Sequence, residues 1–152
     1  MSEVERIADQ LQRAFEGNAW HGPSVREVLE GVSAEQAARY PVAGGHSIWE
    51  IVLHIAVWES IVRRRLGGEV IVEISDEEDW RHPVDTSTVA WKKTLEELEQ
   101  GHRQLQQAVA GLNDEQLPAT VPGKDYSVYF MLHGIIQHDL YHAGQIGLLK
   151  RA

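Results

Sequence analysis

The stretch "HGIIQHDLYHAGQIGLLK", residues 133–150, contains three histidines in a segment that otherwise has the apolar character of a buried helix. Each residue of a helix turns by roughly 100°, so residues four apart lie on one face. His138 and His142 therefore share a face with apolar neighbours, whereas His133 lies about 140° away from His138. An unpartnered imidazole among apolar side chains costs roughly 1–3 kcal/mol. The pair therefore predicts either a bound ligand or a buried hydrogen-bond partner.

Apolar residues recur at helical spacing in three further segments of the chain. With the one above, the predicted helices span about 2–16, 48–66, 87–111 and 127–150. In the third, the apolar face consists of Val89, Leu95, Leu98, Leu105 and Val109. Short helical turns are expected between the first two helices and near Asn113, and two alternatives, a brief extended piece or a loop, stay open for residues 70–74. The pattern predicts an all-α four-helix bundle with a long connection between helices 2 and 3, as a single domain over residues 1–152.

Serines precede most of these helices and predict where they begin. Ser2 and Ser47 are each followed three residues later by glutamate, which is the pattern of a capping box. The third helix is expected to start near Asp85 or Thr86. For the fourth, Ser127 or Asp125 is the predicted cap.

The composition excludes several classes of function. The chain has 152 residues, a formal net charge of -9 and no cysteine. Such an acidic surface disfavours nucleic acid and anionic membranes, and the absence of cysteine excludes disulfides and thiolate ligands. No segment approaches the roughly 18 apolar residues of a membrane span, and no signal peptide precedes the first helix, so a cytoplasmic location is expected.

The second helix offers a third imidazole for the pair on the fourth. One stripe of this helix contains Ile51, His54, Trp58, Ile61 and Arg65. His54 thus lies among apolar neighbours, and two helices with inward imidazoles can converge on one metal ion. We predict a metal site formed by His54, His138 and His142. The alternative, in which each is a core histidine bonded to a carbonyl group, stays open.

Several other residues have two interpretations each. Glu50 either orients His54 or completes the helix cap, which is favoured, and Gln145 either touches a bound ligand or packs at the helix end. Trp49 and Trp58 either wall a pocket or pack in the core. Asp139 points about 100° away from His138, which argues against a general base.

The remaining histidines and one basic run receive mostly structural interpretations. His46 either lines the mouth of the site or lies in a loop, and His133 is left outside the site. His21, His82 and His102 are expected at the surface or its boundary. The run Arg63–Arg65 is interpreted as solvated and complementary to the dipole of the helix C-terminus.

The segments "HSIWEIVLHIAVWE", residues 46–59, and "MLHGIIQHDLYHAGQI", residues 131–146, resemble the DinB/YfiT-like superfamily. The resemblance covers essentially the whole chain and implies a four-helix bundle holding a divalent metal, often zinc or nickel. Its metal ligands fall on His54, His138 and His142. Characterised branches of that superfamily are S-transferases and isomerases that use bacillithiol, mycothiol or glutathione, and homodimers are common.

The predicted function follows from the open coordination position that three protein ligands leave on a metal ion. The favoured prediction is a metal-dependent enzyme acting on a small molecule, such as an S-transferase with a low-molecular-weight thiol as co-substrate. A metal-dependent hydrolase is the near alternative. A non-catalytic metal- or ligand-binding bundle with a role in stress response, and a purely structural bundle, also remain open.

Overall fold

Seven α-helices make up the regular structure, and the computed structural model describes all residues, 1–152. Four are long: α1 (Glu3–Glu16), α4 (Ile48–Leu66), α6 (Thr88–Ala110) and α7 (Val128–Leu149). Three are short: α2 (Val25–Leu29), α3 (Ala34–Ala38) and α5 (Asp76–Asp79), and a 3₁₀ turn spans Asp114–Gln116. The predicted all-α bundle is thereby confirmed. None of the helices combines the length and apolar character that crossing a membrane would require.

The long helices form a bundle in which α4 packs on α6 and α7, and α1 packs on the same two helices from the opposite side. Its core consists of two apolar clusters. The first contains Trp49, Ile55, Leu98 and Ile146 among others, and the second contains Leu11, Val62, Leu105 and Leu132 among others.

The order of these clusters along the chain gives the direction of each helix. Both α4 and α6 run from the first cluster to the second, whereas α1 and α7 run the other way. The topology is therefore up-down-down-up. Because α4 and α6 are parallel neighbours, the connection over 67–87 has to return along the whole length of the bundle.

Arg65 fixes the beginning of that connection. Its guanidinium donates two hydrogen bonds to the carbonyl oxygen of Ile71, at 2.7 and 3.1 Å, and one to the hydroxyl of Tyr126 at 2.9 Å. Only 5% of Arg65 is exposed, so the interpretation of the whole arginine run as solvated is wrong at this position. The nearby residues 69–75 form no β-strand.

For one residue the prediction of a core position is wrong. Val89, assigned above to the apolar face of the third helix, is 78% exposed, whereas Leu98, Leu105 and Val109 are buried as expected. Val89 belongs to the first turn of α6, where the helix has only just begun at its cap Ser87. Its spacing fits the stripe, but the neighbouring helices do not cover it.

Candidate metal centre

Three imidazoles meet in the core of the bundle between α4 and α7. One nitrogen from each of His54, His138 and His142 lies within 4.8 Å of the other two. The Nε2 atoms of His54 and His138 are 3.0 Å apart. Two nitrogens bound to one zinc ion at about 2.0–2.1 Å each would lie roughly 3.4 Å apart, so the spacing is close to that of a shared ion. The structure thus brings the three predicted residues together.

Hydrogen bonds to the outer ring nitrogens orient two of these imidazoles. The Nδ1 atom of His54 is 2.9 Å from the carbonyl oxygen of Asp79 and 2.9 Å from its carboxylate. The Nδ1 atom of His142 is 2.6 Å from Oε1 of Gln145. All these partners are acceptors, so each Nδ1 carries the proton and donates it. The Nε2 of each ring is left with a free lone pair, which is the form in which histidine binds a metal.

Burial also keeps the three rings neutral. Desolvation is the main cause that lowers the pKa of His54, of His138 and of His142 from the ordinary value. Metal ions compete with protons for imidazole nitrogen, so a lowered pKa favours metal binding near neutral pH. Three neutral imidazoles with converging nitrogens therefore fit a divalent transition metal.

The connection between α4 and α6 closes one side of this site. Trp80 follows α5 and stacks on His54 with ring centres 3.8 Å apart, while His46 stacks on Trp80 at 3.5 Å. Asp79, the residue before Trp80, accepts a hydrogen bond from Nε1 of Trp58 at 2.7 Å in addition to those from His54. The sequence interpretation missed both Asp79 and Trp80, although a single aromatic residue in the acidic segment "SDEEDW" was a usable signal. His46 lies in the loop before α4, as one of its two interpretations had it, and reaches the site only through its stacking on Trp80.

Glu50 does not orient His54. It is 1% exposed and accepts hydrogen bonds from the Ser47 backbone and the Tyr40 hydroxyl, and it pairs with His46 and His82. Burial alone would raise the pKa of Glu50, but these hydrogen bonds outweigh it and lower the pKa. Of its two predicted roles, the helix cap is therefore the one the structure shows.

An apolar cleft leads from the surface to His138. Its volume is about 190 Å³. Trp58 lines it, together with Val62, Arg65, Tyr126, Phe130, Met131, Gly134 and Ile135. Trp49, by contrast, is a core residue with 1% exposure. A larger cavity of about 440 Å³ along α4 and α6 has none of the three clustered histidines in its lining.

The other histidines differ in how far they are buried. His21 and His82 are exposed, as predicted, and His133 packs against Tyr129 outside the site. His102 was predicted at the surface or its boundary, and this is wrong because the residue is fully buried. It stacks on Phe15 and its Nδ1 is 2.8 Å from Glu59. Its spacing from Leu98 and Leu105 on the apolar stripe of α6 was the signal for burial.

Fold and site together define an all-helical bundle with a candidate metal centre in its core. A family model described as the DinB superfamily matches residues 19–146, and the chain belongs to that superfamily. No significant match occurs among curated proteins or among solved structures.

Proposed function

We propose that the protein binds one divalent metal ion through His54, His138 and His142 and uses it to transfer a low-molecular-weight thiol to a small electrophilic molecule. The observation that carries the proposal is the convergence of three neutral imidazoles, two of them with the outer nitrogen committed to an acceptor. Zinc and nickel both suit three imidazole ligands.

A bound ion at such a site supplies Lewis acidity, which lowers the pKa of a coordinated thiol or water toward neutrality. Three protein ligands leave at least one position for that exogenous group. Because the chain contains no cysteine, a sulfur nucleophile has to come from a co-substrate.

The residues around the three histidines orient the rings, exclude water and line the cleft. Asp79 and Gln145 hold the rings of His54 and His142 in place. Trp80 covers His54 and keeps water from that side. The cleft beside His138 is mainly apolar, and at about 190 Å³ it suits a small apolar electrophile rather than a large or charged substrate.

Metal analysis of the purified protein tests the first half of the proposal. We expect about one zinc or nickel ion per chain in the wild type and only traces in a variant with His54, His138 and His142 replaced by alanine. His21→Ala, an exposed position, is the matched control and should keep the metal. Equal metal content in the wild type and the triple variant would refute the site.

Turnover of monochlorobimane tests the second half. We expect the metal-loaded protein to accelerate its consumption only when bacillithiol, mycothiol or glutathione is present. Failure of all three thiols to accelerate the reaction would reject S-transfer. Thiol-independent hydrolysis of ester or amide substrates by the same metal-loaded protein would then favour a hydrolase.

A further inference from the structure

A second cluster of potential metal ligands lies in the core, outside the three-histidine site. It consists of Glu59 on α4, His102 on α6 and Asp139 on α7, all of them fully buried. One ligand atom from each residue lies within 4.8 Å of the other two. The Nδ1 atom of His102 is 2.8 Å from Oε1 of Glu59.

Most polar atoms of this cluster have no hydrogen-bond partner. The unpartnered atoms are Oε2 of Glu59, both carboxylate oxygens of Asp139 and Nε2 of His102. Buried polar groups are nearly always hydrogen-bonded, and an unsatisfied one costs roughly 1–3 kcal/mol. Four such atoms in one place indicate a missing partner, which is either a proton shared between the carboxyl groups of Glu59 and Asp139 or a bound cation.

No cationic side chain balances the two carboxyl groups. Their ion pairs within 4 Å involve only histidine, His102 for Glu59 and His138 for Asp139. Burial lowers the pKa of His102 to about 4, so its imidazole is neutral near pH 7. For the same reason the pKa of Glu59 rises to about 8, which shows how poorly the protein alone stabilises negative charge there.

The cluster lies between the two apolar halves of the core. On α6, His102 comes between Leu98 of the first apolar cluster and Leu105 of the second. Glu59 and Asp139 hold the corresponding positions on α4 and α7. Apolar side chains at these three positions would carry no desolvation cost. The presence of Glu59, His102 and Asp139 instead is therefore consistent with a role in binding.

We propose that Glu59, His102 and Asp139 bind a second divalent cation, separate from the ion at His54, His138 and His142. Two carboxylates balance its charge, and one imidazole completes a mixed nitrogen and oxygen ligand set. Such a set favours Mn²⁺ or Fe²⁺ relative to the all-nitrogen site, which suits zinc or nickel. Asp139 connects the two sites, because its Oδ1 lies 3.8 Å from Nδ1 of His138.

A competition experiment tests the second site on the wild-type protein. Chelator-treated protein receives one equivalent of Zn²⁺ and is then titrated with Mn²⁺, with bound Mn²⁺ measured by electron paramagnetic resonance and total metal by mass spectrometry. We expect one Zn²⁺ and one Mn²⁺ per chain. A total of one ion per chain, with Mn²⁺ and with Fe²⁺, whose binding Glu59→Gln leaves unchanged would overturn the proposal and indicate that protons neutralise the carboxyl groups.

Variants then assign each ion to its site. Glu59→Gln, which keeps the side-chain volume, should weaken Mn²⁺ binding at least tenfold and leave Zn²⁺ bound, whereas the exposed control Glu97→Gln should change neither. The triple alanine variant of His54, His138 and His142 should bind one ion fewer than the wild type, and with Mn²⁺ as the only metal supplied it should still bind one. Circular dichroism verifies folding, and unchanged Mn²⁺ binding in folded Glu59→Gln would refute the assignment. Failure of the three-histidine site would appear separately, as equal metal totals in the wild type and the triple alanine variant, with the ion lost in Glu59→Gln.

Discussion

Asp79 shows how a single residue outside the bundle helices can hold the centre together. Its carbonyl oxygen and carboxylate accept from His54, and the carboxylate also accepts from Trp58. Both donors are on α4, one turn apart. Asp79 therefore fixes the ring that faces the proposed metal and the indole that lines the adjoining cleft.

Replacing Asp79 by alanine should weaken metal binding. Loss of a residue that orients a metal-bound histidine typically costs 10–100-fold in affinity. We expect about tenfold, the lower end of that range, because the Asp79 carbonyl oxygen remains. Competition with a chromophoric chelator measures the affinity. Asp76→Ala, an exposed change on the same short helix, is the control, and an equal loss in both variants would contradict the assigned role of Asp79.

Gly134 offers a way to close the cleft without touching a histidine. An added Cβ atom there would meet no other heavy atom within 4 Å, so a leucine can extend into the cleft. Gly134→Leu should reduce thiol-dependent monochlorobimane turnover at least tenfold while metal content stays unchanged. Gly101→Leu introduces the same side chain into α6, away from the cleft, and should leave turnover unchanged. Equal turnover in both variants would show that substrates do not use the cleft.

Helical periodicity was enough to predict which histidines meet. His138 and His142 are one turn apart, and His54 occupies an apolar stripe, so packing of α4 on α7 brings them together. Their role as metal ligands stays a prediction. The lone tryptophan of "SDEEDW" marked that segment, but the contacts of Asp79 and Trp80 with His54 could not be predicted, because they depend on the path of a connection that has no periodic pattern.

At the scale of the elements, serine caps explain why helix boundaries were predictable. Every one of the seven α-helices begins directly after a serine whose hydroxyl accepts a backbone hydrogen bond from the first turn. The expected start of the third helix, near Asp85 or Thr86, was slightly early, because the cap is Ser87. The Asp85 carboxylate accepts from the Ser87 backbone instead, at 2.8 Å.

Two truncations on α6 test which of its faces is packed. Leu105 is fully buried, and Leu105→Ala should lower the free energy of unfolding by about 2–5 kcal/mol, through lost apolar burial and the cavity left behind. Val89 is 78% exposed, so Val89→Ala should change the free energy of unfolding by less than about 0.5 kcal/mol. Urea denaturation followed by circular dichroism measures both. Comparable losses would mean that α6 is rotated relative to the packing described above.

For the whole molecule, the arrangement of the helices was less predictable than their existence. An amphipathic stripe shows that a helix is packed but not which neighbour it packs on. The parallel pairing of α4 and α6 follows from the returning connection, whose first turn depends on the buried Arg65. The position of Arg65 on the apolar stripe of α4 was a signal for its burial, but the basic run at a helix end favoured the solvated interpretation.

The homodimer implied by family resemblance stays a prediction, and α7 offers a surface for it. Phe130, Tyr141 and Leu148 are each more than 60% exposed and, at spacings of eleven and seven, lie on one face of α7. We expect light scattering to give twice the chain mass of 17.1 kDa for the wild type. Tyr141→Asp should shift the protein toward monomer, and Val89→Asp, also exposed, should not. A monomeric wild type would reject the dimer.

Metal binding at the three-histidine site should also stabilise the bundle as a unit, because the ligands belong to two of its long helices. A ligand that binds only the folded state at 100 times its Kd adds about 2.7 kcal/mol to the free energy of unfolding. For a chain of this length that corresponds to a rise in Tm of about 5–10 °C. We expect nickel to produce this rise in chelator-treated wild type and not in the variant with alanine at His54, His138 and His142, as measured by scanning calorimetry. The alanine variant also removes three buried polar rings, so the comparison is made between its own metal-free and metal-loaded Tm values. A similar rise in Tm in both proteins would mean that the stabilising ion binds outside the three histidines. The stability of the bundle would then be independent of the proposed metal centre.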